Sequence, residues 1–208
     1  MKVNVLNIEI KGVQFSNKGA ELMLIAILEQ LEQQYGEFDI TLPPGRLSPY
    51  KKRAQLGAWQ KLSFRRGIID LTGLFARMPK PIRNFLKRYG IVTEADIDVV
   101  LNASGFAYGD QWSLDEIRNT TNEVLRFKKY GKPYISLPQA LGPFNRREIK
   151  QQATKMINAA SLVCARDDIS YSAAQPLSNN SNVKQFPDFT CLVGQSVTED
   201  KFDNNTLC

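Results

Sequence analysis

Short uninterrupted apolar runs alternate along this chain with longer stretches whose apolar positions fall at helical spacing. The runs cover 3–10, 38–42, 97–102, 133–137, 162–165 and 182–186. Runs of that length are what parallel strands buried on both faces look like. Helical spacing occupies 20–35, 113–130, 147–160 and about 168–174. In the first helix Leu22, Met23, Ile25, Ala26, Ile27, Leu28 and Leu31 predict a wide apolar face, with Gly36 as a stop. In the second, Ser113 and Glu116 predict a capping box. Asp167 is placed to cap the last. This alternation predicts an α/β fold, a doubly wound Rossmann-like parallel sheet with right-handed crossovers.

Two of the runs, Asp98-Val-Val-Leu-Asn-Ala-Ser-Gly105 and Gly131-Lys-Pro-Tyr-Ile-Ser-Leu-Pro-Gln-Ala-Leu-Gly-Pro-Phe144, stop abruptly in loops of small and polar residues. Ligands of parallel sheets sit beyond the carboxyl ends of the strands. The loops 103–112 and 138–146 are therefore the first places to look for chemistry.

Residues 46–90 break the alternation. They hold Pro49, Gly57, Gly67, Gly73, Pro79 and Pro81, with a helical stretch over 81–89, and read as an insertion. They also carry the charge: twelve Lys and Arg stand there against one acid, Asp70, while the rest of the chain is net acidic. A solvated cationic surface, attraction to anionic lipid headgroups and nucleic-acid binding are the three readings. Neither an aromatic-rich RNA-binding motif nor a helix-turn-helix pattern supports the last, so no nucleic acid is expected. The domain reading is 1–194 for the Rossmann-like unit with the basic insertion, then a polar tail, 195–208, whose last part from Thr198 is expected to be disordered.

Composition narrows the chemistry further. The 208 residues contain no His, which removes the commonest general base and metal ligand. Three Cys without CxxC spacing argue against a disulfide framework and a zinc site, and Cys164 lies in an apolar run, as a core residue does. No metal is expected. No run approaches the roughly 20 apolar residues of a membrane span. The polar-interrupted amino terminus lacks a signal peptide's core, so a cytoplasmic location is expected.

Four segments resemble the polysaccharide pyruvyl transferase family. They are Asn17-Lys-Gly19-Ala-Glu-Leu-Met-Leu24; Asp98 to Gly105 with Asp110 beyond; Gly131 to Phe144; and Cys164-Ala-Arg166-Asp-Asp-Ile-Ser170 followed by Phe186-Pro-Asp188. The resemblance covers most of 1–190 outside the insertion and matches the N-terminal half of such enzymes, one half of a B-type glycosyltransferase architecture. It implies transfer of a pyruvyl group from phosphoenolpyruvate to two hydroxyls of a saccharide, forming a ketal on a cell-surface polysaccharide or its precursor. It implies no cofactor beyond that donor substrate. The acceptor would be a saccharide, in one reading lipid-linked and met at the inner face of the membrane through 46–90. Two departures stand out: Ala103-Ser-Gly replaces a glycine run, and the family's Arg-Leu-His motif is absent. The chain is therefore expected to be truncated, and weakly active or inactive alone.

The candidate catalytic residues are Arg166 and Asp110. Arg166 follows an apolar run and should emerge at a strand's carboxyl end; the family match implies a contact to the donor's carboxylate or phosphate, and an ion pair with Asp167 or Asp168 is the plain alternative. Asp110 would accept a proton from the acceptor or orient it, or would simply sit near the start of a helix, where the dipole favours a carboxylate. The candidate binding residues are Asn17 and Gly19 at a helix N-terminus, Ser104 and Gly105, Gln139 and Gly142, and Asp188. For these the alternatives are a common turn, a rigid loop scaffold and a turn cap. A non-catalytic sugar- or nucleotide-binding module, or half of a nucleotide-sugar glycosyltransferase, remains the competing function.

Overall fold

A computed structural model describes residues 5–15, 17–66 and 69–193. In chain order its elements are β1 (Leu6–Lys11), α1 (Lys18–Tyr35), β2 (Phe38–Leu42), α2 (Tyr50–Gln55), β3 (Trp59–Lys61), β4 (Arg65–Arg66), β5 (Ile69–Asp70), α3 (Thr72–Phe75), α4 (Lys80–Lys87), β6 (Ile91–Val92), β7 (Val99–Asn102), β8 (Phe106–Tyr108), α5 (Leu114–Lys129), β9 (Tyr134–Leu141), α6 (Arg147–Ala159), β10 (Leu162–Ala165), α7 (Asp168–Ala174) and β11 (Val183–Gln185). Residues 3 and 4 of the first predicted strand, and the polar tail, lie outside the described residues.

The main sheet is parallel, in the order β11-β10-β9-β7-β1-β2-β3-β6, with β8 pairing beside the end of β9. From β1 the chain builds outward through β2 and β3 to β6, then returns to lay β7 on the other side of β1. The order reverses between β1 and β7, the arrangement of a doubly wound α/β sheet. One core lies between the sheet and α1, where Ile8, Ile10, Ile40 and Leu42 meet Leu24, Ile27 and Leu31. The other lies against α5 and α6, where Val100, Tyr134 and Val163 meet Val124, Phe127, Ile149 and Met156.

The helices form where local chemistry asks for them. Ser113 accepts from the Glu116 N–H while the Glu116 carboxylate accepts from Ser113 N, the predicted capping box. Asp167 accepts from Ser170 N at 2.7 Å and starts α7. The wide apolar face of α1 is narrower in fact: Ala20, Leu24, Ile27 and Leu31 are buried, while Leu22 and Ile25 are exposed. Three short strands, β3, β6 and β8, carry no readable apolar run. They are two or three residues long and take their place from neighbours already in the sheet. Residues 46–90 thus contribute a strand, β3, to the main sheet, and the small β4–β5 hairpin stands off it.

Candidate functional site

The loops singled out in the sequence emerge at one edge. Because every strand of the main sheet is parallel, the ends of β10, β9, β7 and β1 follow one another along its carboxyl rim. Adjacent strands are about 4.8 Å apart, so these four ends span about 14 Å. Arg166 follows β10, Gln139 lies near the end of β9, Ser104 and Gly105 follow β7, and Asn17 ends the loop after β1. Backbone bonds lace the row together: Arg166 N donates to the Gln139 carbonyl at 3.1 Å and Ala103 N to the Lys11 carbonyl at 2.8 Å. At the switch point the two loops touch. A Cβ on Gly12, which sits at φ +80°, would lie 2.3 Å from the Ser104 Cα. Only glycine permits that approach.

Each candidate has a definite local role. The Arg166 guanidinium is exposed and only loosely paired, 3.7 Å from the Asp167 carboxylate. Asp167 is turned to its cap: the Ser170 hydrogen bonds, backbone first, hold its carboxyl below the usual range. Asn17 caps α1, accepting from the Gly19 N–H at 2.9 Å. The Ser104 hydroxyl donates to Asn102, whose amide donates in turn to the buried Tyr108 hydroxyl at 2.8 Å. Gly105, at φ +68°, lies against Met23 of α1. Gly142, at φ +87°, donates its N–H to the Tyr108 carbonyl at 2.8 Å.

Three candidates sit differently from the simplest expectation. Asp110 is occupied: its two carboxylate oxygens accept from Asn145 N at 2.7 Å and Arg146 N at 3.1 Å. It thereby satisfies N–H groups at the start of α6, which has no side-chain cap of its own. Asp188 accepts from both the backbone N–H and the hydroxyl of Thr190 and starts a short 3-10 turn against α1. Gln139 is fully buried, and among the described residues neither the oxygen nor the nitrogen of its side-chain amide has a partner.

The sequence gives no warning of a second feature at this edge. Glu9 and Lys11 on β1, Lys61 on β3, Arg65 on β4 and Glu123 on α5 line a cavity of about 270 Å³ together with Pro43, Pro44 and Ser63. Lys61 donates to both oxygens of Glu9 at 2.8 Å and to Glu123 at 2.7 Å, and Glu123 also pairs with Lys11 and Arg65. Behind it Arg126 forks onto Glu94 with two bonds of 2.8 Å and reaches Asp70 at 3.2 Å. Burial weighs on both carboxyls, but the outcomes differ. Glu9, most affected by desolvation, is pushed up despite Lys61. For Glu123 the same desolvation is outweighed by Lys11, Lys61 and Arg65, which hold it well below the usual range. A larger cavity, about 460 Å³, opens at the opposite edge among Leu6, Asn7, Asp39, Asp96 and Asp98. Strand beginnings line it, and parallel sheets do not present ligand loops there.

Among the described residues no helix is long and apolar enough to cross a membrane, and no group of three His, Cys, Asp or Glu converges as metal ligands do.

A doubly wound parallel α/β sheet with its switch point between β1 and β7 defines the class of Rossmann-like domains, in which ligands sit beyond the carboxyl ends of the strands. Which one it is follows from comparison with family models: residues 17–204 match the polysaccharide pyruvyl transferase family. The chain belongs to that family, and the match takes in nearly all of it, the basic segment included. A search of curated proteins finds no match.

Proposed function

We propose that the carboxyl rim takes phosphoenolpyruvate and serves transfer of its pyruvyl group to a saccharide as a cyclic ketal. The acceptor would belong to a cell-surface polysaccharide or its precursor. Protonating the donor's methylene makes a methyl group and leaves the neighbouring carbon cationic. One sugar hydroxyl adds to that carbon, and a second displaces the phosphate. One hydroxyl proton balances the proton taken up by carbon, and the other leaves with phosphate. The donor carries two anionic groups, each matched to the bidentate fork of a guanidinium.

The observation that carries this reading is Arg166, an exposed cation at the end of β10 whose backbone is tied to Gln139 and whose acidic neighbour is engaged elsewhere. Asn17 and Ser104 lie farther along the same rim. Asp110, clasping the start of α6, has no carboxylate oxygen without a backbone partner, so the donor-binding role is assigned to Arg166 alone.

Calorimetry with phosphoenolpyruvate tests the proposal. The chain should bind it, and Arg166→Ala should weaken binding by about tenfold or more. Arg166→Lys should restore only part, since a lysine cannot fork. Equal affinity in the alanine variant, or binding of a nucleotide sugar without phosphoenolpyruvate, would overturn it.

A further inference from the structure

The helix α4 is set into the molecule the wrong way round for a soluble protein. Among its eight residues none is buried. Ile82 and Phe85 stand three residues apart on it, Tyr89 follows in the turn just past its end with its ring against Phe85, and the three are 49%, 55% and 66% exposed. The adjoining edge, by contrast, faces the domain: Arg83 donates to Asp96 at 2.7 Å and Lys87 reaches the same oxygen at 3.1 Å. Asp96 is itself held by the Thr93 N–H and hydroxyl. The side chain of Arg83 is only 19% exposed. An amphipathic helix of a soluble domain packs its apolar stripe inward and leaves its cations in water. Here the cations are the mooring and the apolar stripe looks outward.

Charge says what covers that stripe. From Leu71 to Thr93 there is no Asp or Glu, and five Lys and Arg are present. Beyond the two on Asp96, Arg77, Lys80 and Arg88 are exposed and form no ion pair among the described residues. A second copy pairing through the same face would bring like charges together, which opposes a symmetric dimer there. An anionic lipid surface offers the opposite sign and an apolar layer at the same place. The Phe85 and Tyr89 rings, edge to face with centroids 5.2 Å apart, suit the boundary between headgroups and acyl chains.

We infer that α4 and the residues that follow it are a docking surface for an anionic membrane, entering the headgroup layer with Ile82, Phe85 and Tyr89, while the exposed cations Arg77, Lys80 and Arg88 of the same acid-free segment draw it to anionic lipid. Docking of this kind is independent of which donor the rim takes. It lies on the segment before the edge strand β6, away from the β10–β9–β7–β1 rim, so a docked molecule keeps that rim accessible.

Co-sedimentation of the full chain with phosphatidylcholine vesicles, with and without phosphatidylglycerol, is the test. Binding should require the anionic lipid and fall with added salt. Phe85→Ser with Tyr89→Ser should lower partitioning about tenfold, since both rings lose their apolar contact. Arg77→Glu, Lys80→Glu and Arg88→Glu together should abolish it. Because all five side chains are exposed, the denaturation midpoints of these variants should match the parent, which separates lost docking from lost folding. Equal binding to neutral vesicles, no binding to either, or sedimentation velocity showing a dimer that Phe85→Ser dissolves would each overturn the inference.

Discussion

The two halves of the sheet meet α5 with opposite chemistry. Where β7, β9 and β10 face the helices, Val100, Tyr134 and Val163 pack on Val124, Phe127 and Met156. Where β1 and β3 face the same layer, the buried side chains are Glu9 and Lys61, with Lys11 beside them and Glu123 opposite. An apolar half is stabilised by area removed from water, so each contact is individually replaceable. A charged half holds only if each ion keeps its counterion, because an unpaired buried charge is far more costly than a lost methyl group. The difference also recasts the basic segment. Lys61, Arg65, Arg83 and Lys87, four of its cations, are the counterions of Glu9, Glu123, Asp70 and Asp96. Part of the excess positive charge between Arg46 and Gly90 is therefore internal neutralisation, and the remainder is surface.

The largest test of this contrast is Lys61→Met. It leaves Glu9 without a direct partner and strips one from Glu123, so urea denaturation should show a loss of about 3–5 kcal/mol. Adding Glu9→Gln should recover more than half of it, which a simple packing defect would not allow.

The second is pH. Glu123 and Asp96 are both held below the ordinary carboxylate range; for each, burial pulls upward, and Lys11, Lys61 and Arg65 in the first case and the Thr93 bonds in the second prevail. Their contribution to stability is complete above the unfolded-state values, about pH 4, and is lost as pH falls through the depressed folded values. Glu9, pushed up by burial, has the opposite sign: its contribution is complete below about pH 4 and lost as pH rises through its raised folded value. Glu9→Gln should therefore gain stability relative to the parent as pH rises, read from denaturation midpoints across the range.

A smaller effect separates the rim's scaffold from its ligand group. Asp110→Ala removes two backbone bonds at the start of α6 and should cost about 1–2 kcal/mol, with faster hydrogen exchange at Asn145 and Arg146. Smallest of all, Arg166→Ala should change stability by less than about 0.5 kcal/mol, since its one ion pair is long and exposed. Loss of phosphoenolpyruvate binding in a variant of unchanged stability would mark Arg166 as a ligand residue and not a structural one.

Much of the fold was legible because its signals are local. The span of β2 and that of β10, the Ser113–Glu116 capping box and the Asp167 cap follow from neighbours within a few positions. The rim was legible too, since parallel pairing sends every strand end to one edge. What stayed hidden has long reach. Asp110 reads as a loop carboxylate, yet its partners lie 35 and 36 residues away. Gln139 reads as a loop residue free to meet a sugar, yet β9 runs on through Pro138 and buries it. The strands β3, β6 and β8 are too short to show a period.

The pattern of this chain by itself determined that strands and helices alternate, where the helices α5, α6 and α7 lie, and which loops reach the carboxyl edge, because those depend on spacings of two to four residues. Only the tertiary structure decided which charges neutralise which. Lys61 finds Glu9 across 52 residues and Glu123 across 62. No local rule links them; the order β7-β1-β2-β3 and the position of α5 above it do. It also decided which way α4 faces: one buried carboxylate, Asp96, draws its cations inward and turns its apolar stripe to the outside.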